Sequence, residues 1–301
     1  MKRLESKDVS GRKPRKSSAR LWVLLARDAA VAAIFRRGPS RQVQLIKWNL
    51  EDDTFEDGQW FKGRIYERRC DLSPSGTLLI YFAATHKEPL FSWTAISKLP
   101  WFTALALWPK GDCWNGGGHF IGPYRIHLDH FPSENIPHPD FASGCRKFQI
   151  QTFATARGED TPVWHHTLKR DGWSQVHAGD WGKHGQENGY SWKSRIPEQW
   201  SKPHQKRRIR LAMFIHGMGQ DNGPWHVTSY RVADNSGAEV SSLGPADWAD
   251  WDKQGDLLFA LGGRLYRQRF QKTNSPPPTL LADLNHHEFA AIPPTDWAKK
   301  L

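Results

Sequence analysis

The chain has 301 residues, of which 38% are hydrophobic and 24% charged, and it carries a formal net charge of +11. That length admits one large all-β domain or two ordinary ones, and 25 Gly with 20 Pro argue against a helical bundle, because both residues interrupt helices. Three cysteines, Cys70, Cys113 and Cys145, are odd in number and far apart, which argues against a secreted disulfide framework and supplies no CxxC zinc pair.

In chain order, residues 1–20 read as a basic disordered tail: eight Lys or Arg face only Glu5 and Asp8, with too little apolar surface to offset ordering entropy. The remaining 21–301 read as a single domain. No charged-then-apolar leader opens the chain, and the apolar stretch Leu21–Phe35 is too short to span a bilayer and contains Arg27 and Asp28. A soluble cytoplasmic protein without a membrane partner is expected.

Leu21–Ala30 fits a short helix or a strand. Ala32–Phe35 reads as a strand, Arg37-Gly38-Pro39-Ser40 as a turn, and Val43–Leu50 as a strand. Glu51-Asp52-Asp53-Thr54 is a polar turn before Phe55–Phe61, and Leu72–Phe82 is a strand pair folded around Gly76. Residues 111–145 predict loops and short strands such as Tyr124–Leu128; Lys147–Thr155 alternates like a half-buried strand. Trp164–Val176 is a candidate hairpin turning at Asp171-Gly172, and 178–207 a long loop. Arg208–Ile215, Trp225–Ala233, Glu239–Leu243, Arg264–Phe270, Leu280–Asn285 and Glu288–Ile292 read as strands, with turns at Asp234–Gly237 and Gly262-Gly263 and a stiff loop at Ser275–Pro278. Sustained helical periodicity is absent. The 16 Trp and 15 Phe supply the core, each aromatic burying roughly 150–250 Å².

One pattern recurs. Asp71-Leu72-Ser73-Pro74-Ser75-Gly76-Thr77-Leu78-Leu79-Ile80-Tyr81 and Trp251-Asp252-Lys253-Gln254-Gly255-Asp256-Leu257-Leu258-Phe259 both place a glycine turn before an apolar strand, and Leu107–Trp114 around Gly111 is a looser third copy. A repeated unit of this kind buries its apolar face only by stacking on neighbours. These segments resemble the blade turns of WD40-like and TolB-like β-propellers, where an SPDG-type turn precedes an apolar strand. The resemblance implies an all-β, β-propeller-like array of antiparallel meanders with long loop insertions, and a closing strand within Asp283–Trp297. The spacing is irregular and no full Gly-His…Trp-Asp signature occurs; a sandwich of two sheets is the alternative. The whole chain also resembles an uncharacterised bacterial protein family, which implies no activity.

Motifs for chemistry are sparse. Met213-Phe214-Ile215-His216-Gly217-Met218-Gly219 resembles the oxyanion-hole strand of α/β-hydrolases, but the Gly-x-Ser-x-Gly elbow is missing. His127-Leu128-Asp129-His130, His138 and the pairs His165/His166 and His286/His287 belong to 14 histidines; on a strand, His127 and His130 point to opposite faces, and no spacing matches an established zinc pattern. Glu51-Asp52-Asp53 is read as a turn, and Glu159-Asp160 has no evident partner. No phosphate-binding glycine loop is present. Cofactors and metals are therefore expected to be none.

The function expected is a non-catalytic recognition or scaffold module that binds an unidentified protein partner through loops, with the Gly111–Gly118 and 178–207 segments as variable faces. The candidate partner-binding residues are Arg36, Arg37 and Arg41, Trp192 and Trp200, and Lys206, Arg207 and Arg208. Two alternatives are a nucleic-acid-associated protein using the tail and the Lys206–Arg210 cluster, and a hydrolase using His216 or a His-rich metal site.

Overall fold

The structure, a computed structural model, describes residues 18–38, 41–154, 159–181, 190–220, 223–271 and 275–301. The basic tail, apart from its last three residues, and Pro39-Ser40 of the expected turn lie outside them. Five sheets follow one another along the chain, and none borrows a strand from another. Sheet one is the antiparallel meander β1 (Arg20–Leu25), β2 (Val31–Arg37), β3 (Gln42–Asn49) and β4 (Thr54–Lys62). Sheet two contains β5 (Arg64–Ile65), β6 (Asp71–Leu72), β7 (Leu78–Ala84), β8 (Ser92–Lys98) and β9 (Ala106–Pro109), with β5 and β6 both pairing β7. Sheet three has β10 (Gly118–Gly122), β11 (Arg125–Leu128) and β12 (Gln149–Thr152).

A short helical turn, α1 (Ala142–Cys145), precedes β12, and α2 (Thr161–Arg170) follows it. Sheet four comprises β13 (Ser174–His177), β14 (Tyr190–Pro203), β15 (Ile209–Gln220), β16 (His226–Asp234) and β17 (Glu239–Pro245). Sheet five comprises β18 (Trp248–Trp251), β19 (Leu257–Leu261), β20 (Arg264–Gln268) and β21 (Thr279–Asp283). β1 packs against β6 of the second sheet and against β18 and β19 of the fifth, and β10 packs against β6 and β7.

The two glycine turns occupy matching corners. Gly76 (φ +74°) donates to Ser73 O between β6 and β7, and Gly255 (φ +92°) donates to Asp252 O between β18 and β19. Both glycines sit in the left-handed region that such turns demand. The Gly111 copy differs, because it follows the last strand of its sheet rather than joining a first strand to a second. The turns at Glu51–Thr54, Asp234–Gly237 and Gly262-Gly263 fall where expected.

Several expectations need correction. β11 and β12 run parallel, so sheet three is not an antiparallel meander; the crossover 129–148 returns the chain in the starting direction. Residues 190–203 form β14 instead of a loop, paired with β15 on both sides of an irregularity between Lys193 and Glu198, and 182–189 lie outside the described residues. Trp164–Val176 is a helix and then a strand. Ala19 is buried with its N–H on Asn285 Oδ1 (2.9 Å), and Arg20 opens β1, so the fold begins before residue 21. No strand forms at Glu288–Ile292. Instead the segment after Leu284 is tied by side chains to sheets one and two: Gln59 Nε2 donates to Ile292 O (3.4 Å), His287 bonds Gln44 (2.8 Å), and Lys98 Nζ donates to Trp297 O (3.0 Å). Of the Gly111–Gly118 segment the first half is open, with Trp114 exposed, and the second half is packed: a Cβ on Gly117 would stand 2.1 Å from Arg69 O.

Among the described residues no helix is long and apolar enough to cross a membrane.

Candidate functional site: an aromatic cavity beside a basic hairpin

A cavity of about 400 Å³ opens where the C-terminal ends of β1 and β18 meet α2. Trp22, Trp164, Trp173, Trp248 and Trp251 line it with Leu24 and Met213. The helix gives it one wall. Pro162 starts α2 with φ already helical, and Val163, Trp164 and Leu168 fall on its buried face. Gly172 (φ +89°) then ends it: Trp173 N–H returns to Leu168 O (2.9 Å) and Gly172 N–H to Lys169 O (3.2 Å), which closes the last carbonyls.

The charges in this wall are matched. Arg170 grips Asp71 with two bonds, Nη1 to Oδ2 at 2.6 Å and Nη2 to Oδ1 at 2.9 Å, and also reaches Asp171. Burial opposes the Arg170 charge, and the Asp71 and Asp171 carboxylates outweigh it, leaving the guanidinium firmly protonated. Asp71 accepts a third bond from Phe120 N (2.8 Å), so one carboxylate joins sheet two, sheet three and α2. Asp250 is paired with Lys202 Nζ at 2.6 Å; burial raises its pKa, and the lysine pulls the other way. Asp252 is bonded to Arg267, which also holds Asp53 (2.8 Å) and Asp256 (3.1 Å).

Beside the mouth stands the β14–β15 hairpin. His204 is buried at its base: Nδ1 accepts from Lys206 N (2.9 Å) and Arg207 N (3.1 Å), and Nε2 donates to Gly255 O (2.9 Å). That one ring fixes the hairpin and docks it on the Gly255 turn. Lys206, Arg207 and Arg208 are thereby exposed, with no ion pair among the described residues, and they edge an open groove of about 580 Å³ with Val240, Phe270 and Asp256. Gln254 lines both the groove and the cavity.

The other candidate residues scatter. Arg36 is buried, donating to Leu284 O (2.9 Å), Gly38 O (2.5 Å) and Asn285 O (3.3 Å), and so cannot face a partner. Trp200 is fully buried, with Nε1 on Glu198 Oε1 (2.7 Å). Burial works against the Glu198 carboxylate, yet bonds from His165, Trp200 and Trp181 outweigh it and hold its pKa below the ordinary value. Arg37 is paired with Glu67 (2.8 Å). Arg41 is exposed in the β2–β3 connection and Trp192 stands half exposed on β14, and neither lines the cavity or the groove.

The histidines do not converge on a metal. Among the described residues no group of three or more His, Cys, Asp or Glu is placed to hold one. His130 is buried on Thr94 Oγ1 (2.8 Å), while His127 bonds Gln151 (2.6 Å). His216 lies inside β15 with Nε2 on Ser229 Oγ (2.7 Å), and the ladder continues past it through Gly217, paired with Val227. Glu159 and Asp160 do have a partner: both bind the fully buried Arg69, at 3.0 and 2.6 Å.

No family model and no curated protein matches the chain. Among solved structures it is similar to the uncharacterized protein lmo1340 from Listeria monocytogenes EGD-e, at 11% identity over 93% of this chain and 87% of that one, with a TM-score of 0.30. It is also similar to a mutant of the GH43 protein BlXynB from Bacillus licheniformis, at 8% identity over 94% of this chain, with a TM-score of 0.34. The likeness spans 59% of that second protein's length.

Proposed function

We propose that the five sheets are the blades of an irregular propeller, and that the protein is a non-catalytic recognition module that takes an acidic segment of a partner protein at the end where the aromatic cavity opens. The ring is supported by the contacts of β1, which touches both the second sheet and the fifth. The function rests chiefly on one observation: the exposed cations of the 206–208 loop flank a cavity whose own carboxylates are already paired. Attraction from the loop draws an anionic segment toward the mouth, and the tryptophan walls supply apolar area for its side chains. Among the described lining residues there is no His, Cys or Ser to serve beside the paired carboxylates as nucleophile or base.

The test is co-purification from the native host of three forms: the intact chain, one lacking residues 1–17, and Lys206→Glu/Arg207→Glu/Arg208→Glu. Protein and nucleic acid in each eluate are identified separately. An acidic protein retained by the first two forms and lost by the third supports the reading. Nucleic acid retained by the intact chain and lost with the tail or the loop charges replaces it with a nucleic-acid role.

A further inference from the structure

At the opposite ends of β1 and β18 lies a second, much smaller cavity, of about 40 Å³, lined by Arg20, Arg37, Glu67, Arg68, His226 and Asp247. Trp22 lines both cavities. Between them Arg68 is sandwiched, its guanidinium carbon 4.1 Å from the Trp22 ring centre and 4.7 Å from that of Trp164.

Two observations set this pit apart. Two of its buried N–H groups, Trp22 Nε1 and Arg68 Nε, meet no acceptor among the described residues, although each residue is more than nine-tenths buried. A buried donor left this way costs about 1–3 kcal/mol, and two around one small space call for an acceptor within it. The second observation is charge. Three guanidinium groups face two carboxylates, Glu67 and Asp247. Glu67 is shared by Arg37 (2.8 Å) and Arg68 (3.5 Å), and Asp247 accepts from Leu21 N (3.2 Å). Arg20 has no carboxylate within ion-pair distance among the described residues and donates to Gly223 O (2.6 Å). A fourth cation, Arg64, stands over Tyr66 and Trp225 near the rim.

We propose that this pit is a binding site for one small monovalent anion, a halide or a single carboxylate group, held by Arg20 and the orphan donors of Trp22 and Arg68. Among the lining residues the surplus of one guanidinium matches a single negative charge. A volume close to that of one or two waters, with Glu67 and Asp247 in the wall, disfavours phosphate and sulfate by both size and repulsion. The site shares Trp22 with the aromatic cavity and takes nothing from the basic hairpin.

The test uses the intact protein. Thermal unfolding is followed as sodium bromide replaces sodium isethionate, a bulky sulfonate, at constant ionic strength, so that general screening is held fixed. The expected result is a saturable rise in Tm with bromide and none with sulfate. Bromide-soaked crystals should show an anomalous peak in the pit against Arg68 Nε and Trp22 Nε1. Arg20→Leu, at a half-buried position, should fold and weaken bromide binding at least tenfold; Trp22→Phe, which removes one orphan donor and keeps the packing, should weaken it less. Formate that displaces bromide marks the source as a carboxylate of a larger ligand, and formate without effect marks a free halide. A Tm that follows ionic strength alone, together with no anomalous peak, overturns the proposal.

Discussion

The two ends of β1 and β18 handle buried charge in opposite ways. At the aromatic end each carboxylate has a cation within 2.9 Å, and the pairs run between sheets: Asp71 to Arg170 of α2, Asp250 to Lys202 of sheet four. At the arginine end the cations outnumber the carboxylates, and donors are left without acceptors. Matched charge fastens elements together; unmatched charge waits for something to bind. Burial pushes the Asp247 carboxyl up to about 6, against its bond from Leu21 N–H and the attraction of Arg20, so that end gains little stability from its own acid.

The sharpest way to break this comparison is Asp71→Ala. It leaves the guanidinium of Arg170 with the Asp171 carboxylate alone and frees Phe120 N–H, and it should cost about 3 kcal/mol in denaturant unfolding, the low end for breaking a buried pair from one side because Asp171 remains. Asp247→Asn at the other end should cost less than about 1 kcal/mol, because the amide oxygen still accepts from Leu21 and an ill-solvated charge is removed. Equal losses at the two ends would erase the distinction. Next in size is Lys202→Met, which leaves Asp250 buried without its cation. A loss of about 2–3 kcal/mol is expected at pH 7. The Asp250 pKa, already raised by burial, rises further in the variant, so the penalty is full above that pKa and shrinks as acid protonates the group. A penalty that grows on acidification would contradict this.

Much of this contrast was hidden in the sequence. The all-β character, most strands and the matching corners at Gly76 and Gly255 were legible, because alternation and glycine turns are local signals. The helix α2 was not. Thr161-Pro162, the buried run Val163, Trp164 and Leu168, the basic pair Lys169-Arg170 and Gly172 together mark a helix start and stop, but at ten residues its periodicity is brief and two histidines interrupt it. The strand β14 was lost for the opposite reason, since its polar sequence is stabilised by pairing with β15 rather than by alternation. Of the candidate binding residues, the 206–208 loop is exposed as a charged hairpin tip should be. Arg36 and Trp200 misled because sequence does not tell a buried guanidinium or indole with acceptors at hand from an exposed one. Asp71 and Asp250 carried no motif; only the fold brings their cations to them.

Smaller effects sharpen the picture of the aromatic end. His119 adjoins the Asp71–Arg170 pair on β10, and burial with the nearby Arg170, His127 and His166 lowers its pKa to about 3. A base lowered on folding contributes stability that is full above about 6.5 and is lost as pH falls toward the folded value. His119→Gln should therefore flatten the acid limb of the stability profile between pH 6.5 and 4, by about 2 kcal/mol. An unchanged slope would show that His119 protonates freely in the folded protein. At the two matching corners, Gly76→Ala and Gly255→Ala should each cost about 1–2 kcal/mol, for a left-handed backbone with added crowding. The new Cβ would stand 2.9 Å from Val31 Cβ in one case and 2.6 Å from His204 Nε2 in the other. Gly111→Ala, left-handed but with open space around its Cβ, separates the backbone strain from the crowding.

The smallest stability change belongs to the substitution with the largest expected effect on binding. Lys206, Arg207 and Arg208 are exposed and make no ion pair among the described residues, so reversing all three should move the unfolding free energy by no more than about 0.5 kcal/mol. Their backbone is held independently, since the Lys206 and Arg207 N–H groups, not their side chains, bond His204. His204→Ala inverts the result: it keeps the three charges but removes the ring that fixes the hairpin to Gly255, and so should cost stability and weaken partner retention together. Charge reversal that destabilises as much as His204→Ala would mean that the loop side chains hold the fold, and the aromatic end would then have no charge set aside for a partner.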